Sequence, residues 1–317
     1  MGTVLPVERV SAVMTDRPEL IADVADVDCT GRTALVTGST SGIGRAAAEA
    51  LGRLGADVLV HGRDDEAGGE VVATIEASNP AATARFFGAD FADAGAVRDL
   101  AAAVTEETDE LDLLFNNAGG LFREGGLTDL GVEYTFHVNH LAPYLLTTEL
   151  LEHLAADARV VTTASAAHQG STLDLDRITE PDGGMGAYGH SKLANVLFAA
   201  ELARRLEAAG RDVTSNSLHP GAIPGTGFTR FLPGPVSRLA GALGALPMVT
   251  SVEEGAAELL AAGLSPRLAD VSGRYFADQS LATPSQAAQD PEAARRLWAH
   301  SAELLKIDEP LAPAAQP

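Results

Sequence analysis

Residues 34–44 read Ala34-Leu35-Val36-Thr37-Gly38-Ser39-Thr40-Ser41-Gly42-Ile43-Gly44. An apolar run suited to a buried strand meets a glycine turn, and an Ala-rich helical stretch follows at once. That order is the opening half of a βαβ unit. Gly38 permits a tight turn, Gly42 lets backbone approach a pyrophosphate, and Gly44 lets helix and sheet pack closely with phosphate at the helix N-terminus. Ser41 and Ile43 lie in the same turn and are candidates for the same contact. The spacing G-x3-G-x-G departs from the common G-x-G-x-x-G, so the segment alone also fits a glycine turn that binds nothing.

A second stretch, Tyr188-Gly189-His190-Ser191-Lys192, sets a phenol and an ammonium four residues apart, on one face of a helix. Only two of the 22 Lys and Arg residues are lysines, Lys192 and Lys306, which makes a lysine at this spacing conspicuous. Between the two motifs come Asn116-Asn117-Ala118-Gly119 and Ser165, in that order.

Apolar runs at 33–37, 57–61, 84–87, 112–115, 158–163 and 212–218 alternate with Ala/Leu/Glu-rich stretches near 42–54, 94–106, 132–154, 188–208, 253–262 and 291–306. This is the pattern of a parallel sheet with helices on both faces. Residues 273–276 suit a seventh, edge strand. The expected fold is α/β, a doubly wound Rossmann-type sheet of about seven strands. No linker or repeat divides the chain, so residues 29–307 are expected to form one domain. Residues 1–28 read as a short N-terminal arm, 221–250 as an apolar, Gly/Pro-containing lid, and 308–317 as a disordered tail.

The combined motifs resemble the short-chain dehydrogenase/reductases from about Thr30 to Ala277. Val138-Asn139-His140-Leu141, Ala164-Ser165-Ala166-Ala167-His168 and Leu218-His219-Pro220-Gly221 are similar to the retinol-dehydrogenase-like branch. The resemblance implies a catalytic set of Asn139, Ser165, Tyr188 and Lys192. Tyr188 would be the general acid, Ser165 would hold the substrate oxygen, and Lys192 would depress the phenol's pKa and hold the nicotinamide ribose. Asn139 would hold a water through its backbone oxygen. The sequence adds its own reason: Pro143 has no N–H and cannot bond the carbonyl at 139, so a local helix break is predicted there.

Cofactor-side residues carried by the resemblance are Gly38, Ser41, Gly42, Ile43, Gly44, Arg63, Asp90, Asn117, Gly119, Tyr188, Lys192, Pro220 and Gly221. At the end of the second strand, the acidic position of NAD enzymes falls on Gly62 and a cation follows at Arg63, which favours NADP(H) over NAD(H). His168 is expected to pack or cap a loop. The pair His137 and His140 lacks a carboxylate frame for a metal, and no G-x-S-x-G elbow for a hydrolase is present. The function expected is alcohol–carbonyl interconversion on an apolar substrate. The alternative is a catalytically silent dinucleotide-binding regulator on the same fold.

Forty-four acidic against 22 basic residues give a formal charge of −22, which repels nucleic acid and anionic membranes. A high-salt cytoplasm and a GC-rich genome both account for this composition. The chain lacks an apolar run of ~18 residues and a signal-peptide pattern, and Cys29 has no partner for a disulfide, so a cytoplasmic location is expected. Helices at 140–154 and 188–208 resemble those through which relatives form homodimers or homotetramers.

Overall fold

Successive strand residues face opposite ways, and along Thr33–Val36 (β1) this puts Leu35 into one buried cluster and Ala34 and Val36 into another. The computed structural model describes residues 17–221 and 250–312. In it both faces of the sheet are covered, so β1 and the strands beside it are largely apolar on both sides, whereas the strand at Thr214–His219 buries Thr214, Ser215, Asn216 and Ser217.

The remaining strands are β2 (Asp57–Gly62), β3 (Ala84–Gly88), β4 (Leu111–Asn116), β5 (Leu154–Thr163), β6 (Thr214–His219), β7 (Tyr275–Ala277) and β8 (Ser280–Leu281). Their order is β3-β2-β1-β4-β5-β6-β7-β8. All pairings are parallel except β7 with β8. The short antiparallel β8 extends the expected count of seven. The order in which strands are added reverses between β1 and β4, and the crevice at their carboxyl ends is where doubly wound sheets take ligands.

The helices are α1 (Pro18–Ile21), α2 (Gly42–Arg53), α3 (Asp65–Ser78), α4 (Ala94–Glu107), α5 (Tyr134–Phe136), α6 (Ala142–Glu149), α7 (Gly184–Ala208), α8 (Val252–Leu264) and α9 (Pro291–Leu305). Side chains of Asp64, Asp93, Ser251 and Asp290 cap α3, α4, α8 and α9. The break predicted near Asn139 is present: His137–Leu141 form a π-helical turn between α5 and α6, closed by Ala142 N–H on the His137 carbonyl.

Of the two chain ends, only the tail departs from expectation. In the arm, α1 is pinned by the buried Glu19 carboxylate, which takes both Arg53 Nε at 2.8 Å and Arg53 Nη2 at 2.9 Å. The tail expected to be disordered from Asp308 is instead docked over 308–312. Arg205 pairs with Glu309 at 2.5 Å and donates to the carbonyls of Pro310 and Leu311, while Trp298 Nε1 donates to Pro310 at 3.2 Å. Carbonyl acceptors, one carboxylate and the packing of Leu311 against the core supply this docking, so the tail's shortage of apolar side chains does not prevent it. The lid expectation at 221–250 falls on residues 222–249, outside the described residues.

Candidate active site

The turn after β1 is held from three directions. Thr37 Oγ1 donates to the Phe115 carbonyl and accepts the N–H groups of Asn117 and Ala118, each at 3.0 Å. Asn117 Nδ2 returns to the Thr37 carbonyl at 3.0 Å. Gly38 lies at φ +66°, and a Cβ there would meet Ala118 Cα at 2.8 Å. At Gly44 a Cβ would run into the Gly38 carbonyl oxygen and lie 2.6 Å from Asn117 Nδ2. The role given to Gly44, close packing of helix on sheet, is therefore visible as contact. Asn117 acts as a staple of the turn.

Unlike the Asp-capped helices, α2 has no cap from its N-cap side chain, Ser41. Among the described residues no side chain accepts from the first-turn amides of Gly42, Ile43 and Gly44, and a helix N-terminus of this kind suits an anion. These residues fit a dinucleotide pyrophosphate.

At the end of β2, Arg63 is exposed with its Nη1 3.8 Å from Asp90 Oδ2. Asp64, which the sequence sets beside Arg63, spends its carboxylate on the Ala67 N–H as the cap of α3. Asp90 accepts the Ala92 N–H at 3.0 Å. A Cβ at Gly62 would come within 2.8 Å of Thr40 Oγ1, so Thr40 fills the space a side chain at 62 would need.

Deeper in the crevice, α7 presents Tyr188 and Lys192 one turn apart. Lys192 is buried, and Nζ donates to the Thr163 carbonyl at 2.8 Å, an acceptor shared with Asn195 Nδ2 at 3.0 Å. Nζ sits 5.8 Å from the centre of the Tyr188 ring. Burial pushes the ammonium down to about 8. The Tyr188 phenol is raised by burial, against which a hydrogen bond with Ser165 acts. Burial is the larger influence on the phenol, and the Lys192 ammonium is turned to a backbone carbonyl.

Ser165 follows β5 and also accepts the Ala167 N–H at 3.2 Å, starting a short 3-10 turn. His168 closes that turn: Nδ1 donates to the Ser165 carbonyl at 2.6 Å, and Nε2 accepts the Ser285 N–H at 3.1 Å. Both nitrogens are engaged with backbone, as expected for a loop cap.

Asn139 carries a connection the sequence reading did not contain. Its side-chain amide exchanges two 2.9 Å bonds with the N–H and carbonyl of Gly120, and Nδ2 also reaches Ser191 Oγ at 2.9 Å. A Cβ at Gly119 would lie 2.7 Å from Asn139 Oδ1 and 3.5 Å from Lys192 Nζ. Gly119, Asn139, Ser191 and Lys192 therefore form one packed group. Pro220 is buried just after β6, with Gly221 next to it. His61 was absent from the expected set, although it lies directly before Gly62; its contacts with Gly38 and Ala89 cross between strands and leave no local signal.

Residues 32–233 match the family model of the short chain dehydrogenases. Human retinol dehydrogenase 13 is 37% identical over 297 residues, covering 88% of this chain and 86% of that protein. The polyprenol dehydrogenase of Mus musculus is 40% identical over 282 residues, covering 86% and 84%. A short chain dehydrogenase from Burkholderia cenocepacia J2315, solved in complex with NADP, superposes with a TM-score of 0.64 at 31% identity, covering 83% of this chain and 99% of that one. The glycine turn, the stapled Asn117 and the Ser165–Tyr188–Lys192 cluster lie within the matched span. The chain belongs to the short-chain dehydrogenase/reductase family of oxidoreductases, on its retinol-dehydrogenase-like branch.

Proposed function

We propose that the protein interconverts an alcohol and its ketone or aldehyde using NADP(H), with Tyr188 as general acid in reduction and general base in oxidation. The observation that carries this reading is the placement of Ser165 against the Tyr188 phenol, with the buried Lys192 Nζ 5.8 Å from the ring centre. The bound nicotinamide supplies or accepts the hydride. Tyr188 gives its hydroxyl proton to the carbonyl oxygen, and Ser165 turns its single hydroxyl proton from the phenol oxygen to that same oxygen as charge grows on it. A phenol raised by burial remains protonated at neutral pH, which suits proton donation in the reductive direction. Lys192, brought down to about 8, exchanges protons near neutral pH and is the next carrier behind Tyr188. Asn139 holds the Gly119–Gly120 segment against this group.

Preference for NADP(H) is supported by Arg63 and by the crowding of Gly62 against Thr40, which leaves no room for the carboxylate that grips an adenosine ribose diol. The Gly, Pro, Phe and Leu content of 221–250 supports an apolar substrate. Titration with NADPH and NADH, followed by nicotinamide fluorescence, tests the cofactor reading. Arg63→Ala should weaken NADPH roughly tenfold to a hundredfold, as expected for losing a charge-assisted bond to phosphate, and leave NADH nearly unchanged. Equal weakening of both cofactors, or tighter binding of NADH by the wild type, would remove the assignment of Arg63.

A further inference from the structure

Two segments that border the dinucleotide crevice, the turn after β1 and the stretch after β3, converge on one side chain, His61 of β2. Its Nδ1 accepts the Gly38 N–H at 3.1 Å, and its Nε2 lies 3.2 Å from the Ala89 carbonyl oxygen beyond β3. A carbonyl can only accept and a peptide N–H can only donate, so the ring is neutral with its proton on Nε2. The main chain adds two more links: His61 N–H donates to Ser39 Oγ at 3.0 Å, and the Ser39 N–H donates to the His61 carbonyl at 2.8 Å. The imidazole is buried and stacks on Phe91 with centroids 4.5 Å apart.

The Gly38 amide is thus committed to an imidazole instead of facing a ligand. Gly38 is the left-handed residue of the turn, close against Ala118 on the far side. Its orientation determines where the next residues run and where the open N-terminus of α2 points. We propose that His61 is a positioning residue for the cofactor, holding the Gly38 amide so that the turn is formed before the pyrophosphate arrives. This rests on the reading that the crevice binds a nicotinamide dinucleotide. It differs from that reading in what it requires: an acceptor at the Nδ1 position, whatever the rest of the side chain.

Two substitutions separate the two ends of the ring. Asn places its amide oxygen near the Nδ1 position and keeps the Gly38 bond, whereas Gln reaches toward Ala89 and loses it. NADPH affinity of the wild type, His61→Asn, His61→Gln and His61→Ala is measured by nicotinamide fluorescence, with urea unfolding of each unliganded protein alongside. The expected result is affinity close to wild type for Asn and about tenfold weaker binding for Gln and Ala, the weight of one buried hydrogen bond. Should Ala fail to fold, the comparison of Asn with Gln still decides. Gln binding as tightly as the wild type, or Asn binding no better than Gln, overturns the proposal while leaving the oxidoreductase reading intact. A wild type that binds neither NADPH nor NADH overturns both.

Discussion

Replacing Lys192 with methionine should make the unliganded protein more stable near neutral pH while removing its activity. The ammonium is buried, and burial lowers its pKa from 10.5 to about 8. At ~1.4 kcal/mol for each tenfold change in proton affinity, the folded state carries ~3 kcal/mol of desolvation penalty that the unfolded chain escapes. Methionine is similar in length and carries no charge. Its introduction loses the bond to the Thr163 carbonyl, about 1 kcal/mol, but that carbonyl keeps Asn195 Nδ2 at 3.0 Å and is not orphaned. The net expectation is a gain of ~2 kcal/mol at pH 7.

The pH dependence supplies a signature. Below pH 8 the lysine is charged in both states and the folded state bears the whole penalty. Between pH 8 and 10.5 the unfolded chain holds more protons than the folded one, so wild-type stability rises relative to the variant, and above 10.5 the difference in charge is gone. The advantage of Lys192→Met should therefore be full at pH 7 and shrink toward pH 10. Urea unfolding of both proteins at the two pH values measures this as a difference in which shared titrations cancel. A variant less stable than the wild type at pH 7, or an advantage that does not change with pH, would refute the reasoning.

Other consequences are more direct. Tyr188→Phe and Ser165→Ala should each lower turnover of a carbonyl panel by roughly 10²- to 10⁴-fold with NADPH binding retained, the usual weight of a positioned proton donor; retained turnover would remove Tyr188 from the chemistry. Gly44→Ala forces a methyl against the Gly38 carbonyl and Asn117, and should cost about 1–3 kcal/mol by urea unfolding together with a loss of NADPH affinity. If that variant is as stable as the wild type, the packing account of the glycine is wrong. Arg205→Ala removes the guanidinium that stacks on Trp298 at 4.9 Å and holds Glu309, Pro310 and Leu311. Since Glu201 keeps Arg204, the expected cost is ~2 kcal/mol, less than for stranding a buried charge. Limited proteolysis within 308–312 should become faster, and an unchanged digestion pattern would count against the docked tail.

The α/β pattern was readable because strand and helix periods differ and most strands covered on both faces are runs of apolar residues, β6 with its buried Thr214, Ser215, Asn216 and Ser217 being the exception. Helix α3 was not anticipated. Its stretch contains Gly68 and Gly69, which weaken a helix signal. The reason for Gly68 is tertiary: a Cβ there would collide with the Phe86 ring of β3. Helix α7 likewise starts at Gly184, four residues before Tyr188, through a glycine-rich stretch that reads as turn. Docking of 308–312 was missed because composition reports side-chain burial, whereas Arg205 and Trp298 hold that segment largely by its carbonyls.

For the site, the sequence alone determined which residue types are present and in what order: the glycine turn, Asn117, Asn139, Ser165, Tyr188 and Lys192. It also located the helix break, since a proline's missing N–H is a local property. Only the tertiary structure decided the protonation behaviour, because desolvation depends on what surrounds a group in three dimensions. That is why Tyr188 is raised, with Lys192 turned to Thr163. The same holds for His61, whose two partners lie 23 and 28 residues away along the chain and become neighbours only when β1, β2 and β3 pair side by side.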